Sequence, residues 1–167
     1  LPLMQKAMAL QAELMAPMPS REFEGTLEQE THLLAMAKKI FLMVGAQAVQ
    51  KYQTKLDREQ EVLSHLGDML ISVFAMESAL LRTRKLLGRS GEAKAANAID
   101  MTTVFVHEEL GKVEERAREA LAAMESGDML RTQLSILKKL GRRAAVDTIG
   151  LKRRIAAKVI EAEKYVV

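Results

Sequence analysis

The chain has 167 residues, of which 49% are apolar, 28% charged and only 4% aromatic. The absence of Cys excludes disulfides, thiolate metal sites and a Cys nucleophile, and the shortage of aromatic residues argues against a β-sandwich. The net charge is +3, with the basic excess after Asp128. The longest apolar run, from Ile40 to Ala46, is far shorter than the roughly 20 residues that span a bilayer, so we expect a soluble, cytoplasmic protein.

A first, short helix is predicted between Leu3 and two prolines, Pro17 and Pro19, which end it. Its apolar side chains recur at helical spacing, and several are Met, whose flexible side chains suit surfaces that adapt to a partner. Packing back onto the rest of the chain is the alternative. We therefore treat the following as interface candidates: Met4, Met8, Leu10, Leu14 and Met15.

The second helix is predicted to begin at a capping box, Thr26-Leu27-Glu28-Gln29, in which a hydroxyl and an amide face each other across the first turn. One apolar stripe follows this start at helical spacing. It consists of Leu33, Ala37, Ile40, Val44 and Ala48.

A third helix is predicted to begin at Asp57, a cap residue, and to end at Gly88 and Gly91. Its apolar face is wide. It comprises Val62, Leu66, Met69, Leu70, Val73, Met76, Leu80 and Leu81. Gly67 lies inside this helix, where Gly costs about 1 kcal/mol against Ala, and close packing of a neighbouring helix is the expected reason for it.

The fourth helix is predicted from Glu92 to Glu125, followed by a shorter helix that Asp128 caps and a last helix that Asp147 or Thr148 caps. Short connections between long helices favour antiparallel neighbours. The sequence therefore predicts an all-α fold, an antiparallel helical bundle of three long helices, with shorter C-terminal helices and an N-terminal helix.

Residues that could carry chemistry are few. The three histidines, His32, His65 and His107, lack the Glu-x-x-His pattern of di-iron bundles and the HExxH pattern of zinc sites, so each is expected to be a surface or capping residue. No glycine-rich phosphate loop or nucleophile motif is present. The basic C-terminal region lacks interleaved aromatics, so nucleic acid is not an expected partner.

Two carboxylates on the third helix stand next to its apolar face. If Asp68 or Glu77 is buried, it needs a partner, because an isolated buried carboxylate is too costly. Arg82 and Arg84 on the same helix, or the basic last helix, are the expected partners. We therefore predict that Asp68, Glu77 and Arg82 form structural ion pairs.

The order and spacing of several segments resemble the extra C-terminal domain of acyl-CoA dehydrogenases of the long-chain and very-long-chain type, especially the bacterial ones. The resemblance covers nearly the whole chain, including a stretch similar to the one that joins that domain to the catalytic part. The segments are Leu1–Ala7, Gln60–Leu63, Asp68–Ile71, Ala75–Arg82, Val146–Ile149 and Leu151–Ala156.

The resemblance implies a parent enzyme that uses FAD to remove two hydrogens from a fatty acyl-CoA, with flavin, substrate pocket and catalytic Glu outside this chain. It implies that residues 1–25 are an N-terminal helix and linker from the catalytic part, and that residues 26–167 are the accessory bundle. The expected partners of the chain are the catalytic part of the parent enzyme, a second copy in a homodimer, and a peripheral membrane surface. No cofactor is expected in this chain itself.

A short match to the catalytic loop of this family is misleading. Phe23-Glu24-Gly25-Thr26 resembles the Glu-Gly-Thr loop that carries the catalytic base, but the similarity stops at Thr26. Glu24 is therefore not expected to be a catalytic base. Two other functions stay open at this point. One is a free-standing helical adaptor that binds a partner or membrane through the first helix and the basic C-terminal segment, and the other is a self-contained ligand-binding or enzymatic bundle.

Overall fold

A computed structural model describes residues 22–166 and, before them, Ala9, Ala12, Glu13, Met15 and Ala16. The described residues form helices and connections and no strand, which confirms the all-α prediction. Five helices follow in order: α1 (Glu28–Tyr52), α2 (Gln60–Ser90), α3 (Glu92–Met124), α4 (Gly127–Leu140) and α5 (Thr148–Ala162). A 3-10 helix, Gln53–Arg58, joins α1 to α2.

Side-chain contacts define the directions of the long helices. Thr31 of α1 contacts Arg84 of α2, and Lys38 of α1 contacts Glu77 of α2. Because the residue number increases along α1 while that of its partner decreases along α2, the two helices run in opposite directions. The same holds for α2 and α3, which have the most extensive contact in the bundle. The three long helices are therefore antiparallel along the chain, as their short connections predict.

The hydrophobic core lies between α1, α2, α3 and α4. Every member of the predicted α1 stripe is buried in it. The largest side chains without exposed surface include Leu33 and Ile40 of α1, Met69 and Met76 of α2, and Leu121 of α3. Replacing a side chain such as Leu121 by Ala typically costs about 2–5 kcal/mol, because it removes apolar burial and leaves a cavity.

The predicted capping box at the start of α1 is wrong. Leu27 adopts a left-handed backbone conformation at the cap position, with φ 62°, and the Thr26 hydroxyl donates to Glu92 Oε1 at 3.0 Å. The Glu28 carboxylate instead accepts from the backbone N–H groups of Glu24 and Gly25, at 3.3 and 3.1 Å. The Glu28 side chain therefore holds the connection before the helix, and no described side chain caps the N–H groups of the first turn.

Two further predicted caps are also wrong. Asp57 lies in the 3-10 helix and contributes only its backbone carbonyl, to the Gln60 side chain at 2.6 Å. Asp128 lies inside α4, where it pairs with Arg131 rather than bonding to the helix N-terminus. A side-chain oxygen can cap only when its residue sits just outside the first turn, and these two elements begin one or more residues away from the expected position.

The remaining helix boundaries are closer to prediction. Asp147 caps α5 by accepting from the Gly150 N–H at 2.9 Å. Gly91 ends α2 with φ 76°, a conformation that favours glycine, whereas α2 continues through Gly88. Gly67 is exposed, and a Cβ there would meet no atom within 4 Å, so close packing within the described part of the chain does not explain it.

Candidate functional site: an apolar outer face

The two carboxylates singled out on α2 are paired, but neither partner is the predicted one. Asp68 lies 3.3 Å from Arg116 Nε of α3, and Glu77 lies 2.6 Å from Lys38 Nζ of α1. Their side chains are 50% and 43% exposed, so both pairs are surface pairs that join neighbouring helices. Such pairs stabilise a fold by roughly 0–1 kcal/mol.

The predicted ion-pair role of Arg82 is wrong, since no carboxylate of the described residues lies within ion-pair distance of it. Arg84 donates instead to the Thr31 hydroxyl on α1, at 2.6 Å. On a helix, side chains meet at spacings of three or four residues, whereas Arg82 and Arg84 are five and seven residues beyond Glu77.

The carboxylate buried between α2 and α3 is Glu109, which the sequence analysis did not single out. It accepts from the Ser72 hydroxyl at 2.6 Å and from Lys112 Nζ at 2.5 Å, and only 10% of its side chain is exposed. Burial raises its pKa, but the hydrogen bonds from Lys112 and Ser72 and the Lys112 charge outweigh this, and the pKa lies below the ordinary value. The available signal was Ser72, a polar residue within the inner stripe of α2.

A second buried polar group links α1 to α3. The Glu30 carboxylate accepts from the Thr103 hydroxyl at 2.9 Å and lies 3.9 Å from His107 Nε2. His107 is buried, so its predicted surface or capping role is wrong. Burial lowers the pKa of His107; Glu30 raises it and Arg143 lowers it further. The net effect holds the pKa of His107 below its ordinary value.

The other two histidines lie nearer the surface. His65 Nε2 is 3.3 Å from Glu119 Oε2, and the His32 ring packs on Phe23 with 5.1 Å between centroids. Within the described part of the chain, no group of three or more potential ligands is arranged to hold a metal ion.

One cleft of the described residues lacks a preformed site for the FAD diphosphate. A cleft where α3 meets the connection between α4 and α5 is lined in part by His107, Arg143 and Thr148. Its one cation, Arg143, already donates to Glu114 at 2.7 Å and to the Gly141 carbonyl at 2.8 Å. A flavin diphosphate would have to displace both contacts, so no cradle for it is preformed here.

An exposed apolar surface lies on α1 and α2, on the side away from the hydrophobic core. We call it the outer face. Its members are large apolar side chains that are more than half exposed: Leu42, Val49, Leu70, Ile71, Phe74 and Leu81. Scattered exposed apolar residues are ordinary, but several on two adjacent helices form a patch of the kind that marks interaction surfaces.

Helical spacing shows that these side chains border one seam. Two contacts lie on it: the Lys38–Glu77 ion pair, and the approach of Gly45 to Leu66, where a Cβ would lie 3.8 Å from Cδ2. Residues four apart share a side of a helix. On α1, Leu42 lies four residues after Lys38, and Val49 lies four residues after Gly45. On α2, Leu70 lies four residues after Leu66, and Leu81 lies four residues after Glu77. Phe74 lies four residues after Leu70.

The predicted interface helix falls mostly outside the described residues: Met4, Met8, Leu10 and Leu14 are not among them. Met15 is described and exposed. Near it, Glu13 pairs with Lys39 of α1, and the Ala16 carbonyl accepts from Lys139 of α4. Glu13 therefore lies next to α1, and Ala16 lies next to α4.

The basic C-terminal segment is partly neutralised by acidic residues of α3. Arg154 forms a two-bond ion pair with Asp100, and Lys152 pairs with Glu108. These contacts fasten α5 to α3 and leave fewer charges for an acidic partner. They give no support to an adaptor that binds through this segment.

The described residues form an all-α bundle with an exposed apolar face, and known proteins share this helical domain. A family model described as acyl-CoA dehydrogenase, C-terminal domain, matches residues 36–139. Over all 167 residues the chain is 47% identical to a probable acyl-CoA dehydrogenase of Bacillus subtilis (strain 168) and covers 28% of it. A crystal structure of acyl-CoA dehydrogenase complexed with FAD from Bacillus anthracis matches the whole chain with a TM-score of 0.93 and 45% identity, over 28% of that protein.

The chain therefore belongs to the acyl-CoA dehydrogenase C-terminal domain family. It spans just over a quarter of the length of the relatives that it matches.

Proposed function

We propose that the chain is the non-catalytic C-terminal accessory and interface domain of an FAD-dependent acyl-CoA dehydrogenase of fatty acid β-oxidation, of the long-chain or very-long-chain type, in the cytoplasm. Its partner is the catalytic part of the same enzyme, which supplies flavin, substrate pocket and catalytic base. The domain contributes a rigid helical body that packs against that part. The 47% identity to one quarter of a probable acyl-CoA dehydrogenase supports this role.

The observation that carries the proposal is a hydrophobic core closed within the domain, combined with an apolar surface left outside it. Leu33, Met76 and Leu121 come from three different helices and expose almost nothing. Phe74, on the same helix as Met76, is exposed on the opposite side. A module that folds around its own core and still presents apolar surface is suited to docking on another body.

The test compares the chain alone with the complete protein that contains it. The complete protein is expected to purify with flavin absorbance and to oxidise a long-chain acyl-CoA with an artificial electron acceptor, and the chain alone is expected to do neither. Turnover with acyl-CoAs of several chain lengths tests the long-chain assignment separately.

Glu24 provides the decisive variant, because it stands in the one segment that resembles a catalytic loop. In the complete protein, Glu24→Gln is expected to leave turnover at the wild-type rate, since this residue contributes its backbone N–H to Glu28 and no catalytic group. Flavin bound to the chain alone, or turnover lost with Glu24→Gln, contradicts the proposal.

A further inference from the structure

Helix α1 is more apolar than its place in this bundle requires. The span Glu28–Arg58 is long and apolar enough to cross a membrane by length and composition alone, yet only 44% of its most apolar window is buried inside the domain. The hydrophobic core uses one side of the helix, including Ile40 and Val44. Leu42 and Val49 remain on the other side, at the seam with α2, where an additional body would cover them.

We propose that the outer face of α1 and α2 is the surface on which the preceding, catalytic part of the same polypeptide docks. This proposal rests on the proposed function and specifies the surface that performs it. The apolar side chains of Leu42, Leu70 and Phe74 form its centre, and the Lys38–Glu77 pair crosses it. An apolar centre with polar groups around it is typical of docking surfaces between domains.

The entry of the chain into the domain favours the preceding part of the polypeptide over other occupants. Glu13 pairs with Lys39, which lies three residues, about one helical turn, before Leu42. Glu13 therefore lies about one helical turn from the edge of the outer face. The matched relatives have nearly three quarters of their length outside the region aligned to this chain. A body attached through the segment that contains Glu13 reaches the outer face at a high effective concentration.

Gly67 lies on the same side of α2 as the outer face, four residues before Ile71 and seven before Phe74. It is exposed, and none of the described atoms would touch a Cβ there. An exposed glycine in mid-helix lets another backbone approach closely. No described atom of this chain occupies the space next to Gly67.

The experiment places a charge on the outer face of the complete protein and on a matched exposed site. Phe74→Asp is the test variant and Ile160→Asp on α5 is the control, since the two side chains are 72% and 75% exposed. A second pair, Leu42→Asp and Met129→Asp, repeats the comparison on α1 and α4 at equal exposure. In the chain alone, all four variants are expected to unfold at the wild-type urea concentration, because none disturbs the hydrophobic core.

The rate at which limited trypsin cleavage releases the domain from the complete protein reports whether the domain is docked. Phe74→Asp and Leu42→Asp are expected to raise the cleavage rate by roughly tenfold to a hundredfold, because covering one large apolar side chain shifts a docking equilibrium by that factor. The two control variants are expected to leave the rate unchanged, and the sedimentation mass is expected to be that of the wild type for all four.

Three results overturn the proposal. If the outer-face variants lower the sedimentation mass, the occupant is a second copy. If they abolish binding to phosphatidylglycerol vesicles without a change in cleavage, it is a bilayer. If they behave like the controls in every assay, the outer face has no partner. None of these results bears on flavin content or on Glu24→Gln, so the proposed function is tested independently.

Discussion

Replacing Ser72 and Asp68 separately by Ala tests which polar contact stabilises the packing of α2 on α3. The Ser72 hydroxyl donates to Glu109 at 2.6 Å, and the Glu109 side chain is only 10% exposed. Its loss leaves a buried carboxylate with one donor fewer. A hydrogen bond to a charged group contributes about 1.5–3 kcal/mol, so we expect Ser72→Ala to lower the free energy of unfolding by that amount.

Asp68 lies one turn earlier on the same helix and forms a surface ion pair. It is 3.3 Å from Arg116, and Arg116 also lies 3.9 Å from Glu119, so its guanidinium keeps a carboxylate partner when Asp68 is removed. We expect Asp68→Ala to cost no more than about 1 kcal/mol. The sequence alone favours the opposite order, since it marks Asp68 as a carboxylate that needs a partner and passes over Ser72.

Urea unfolding followed by circular dichroism measures both variants. With a slope of about 1–3 kcal/mol per molar urea, Ser72→Ala is expected to lower the midpoint by roughly 1 M and Asp68→Ala by a fraction of that, with unchanged slopes. The pKa of Glu109 is lowered, so the stability it contributes is present above about pH 4.5 and is lost as the pH falls through its folded-state pKa. The difference in free energy of unfolding between Ser72→Ala and the wild type should therefore become smaller at that acidic pH. A midpoint lowered more by Asp68→Ala than by Ser72→Ala refutes this reasoning.

Three smaller changes test other parts of the structure. Asp147→Ala removes the cap that accepts from Gly150 and should cost about 1 kcal/mol, measured by thermal unfolding with Asp147→Ser as the control. Gly67→Ala should stabilise the chain alone by about 1 kcal/mol, and a loss of stability would show that another group already fills that space. Burial lowers the pKa of His107, with Glu30 opposing this, so just below about pH 6.5 the unfolded chain binds a proton at this residue more readily than the folded chain does. The free energy of unfolding therefore falls as the pH falls below that value, and His107→Gln should make it depend less on pH.

The sequence predicts the helices well because their apolar spacing is strong, and it predicts their caps poorly. A stripe such as Leu33 to Ala48 covers several turns, and every residue in it supports the same assignment. A cap depends on one residue and on where the chain turns. Leu27 is buried in the core with a left-handed backbone, and a 3-10 helix follows Tyr52, so the helices do not begin where Thr26 and Asp57 could cap them.

The buried polar groups could not be read from single helices. Glu109 lies beside Leu110 in the sequence, and nothing local distinguishes it from the exposed acids of the same helix. Its burial depends on Ser72 standing opposite it on α2, and that pairing follows only once the register of α2 and α3 is known. Asp68, by contrast, stands next to an apolar face in the sequence but at its edge in space.

The wide apolar face predicted for α2 consists of two faces, and their separation is what indicates a docking surface. Val62, Met69, Met76 and Leu80 are buried, whereas Leu70 directly follows Met69, Leu81 directly follows Leu80, and both are exposed. Since consecutive helical residues point about 100° apart, one apolar arc that includes both sets is too wide for a single partner. Helices α1 and α3 cover the inner part of this arc, and the exposed part is the surface proposed for docking. The variants Phe74→Asp and Leu42→Asp ask whether the preceding part of the polypeptide docks there.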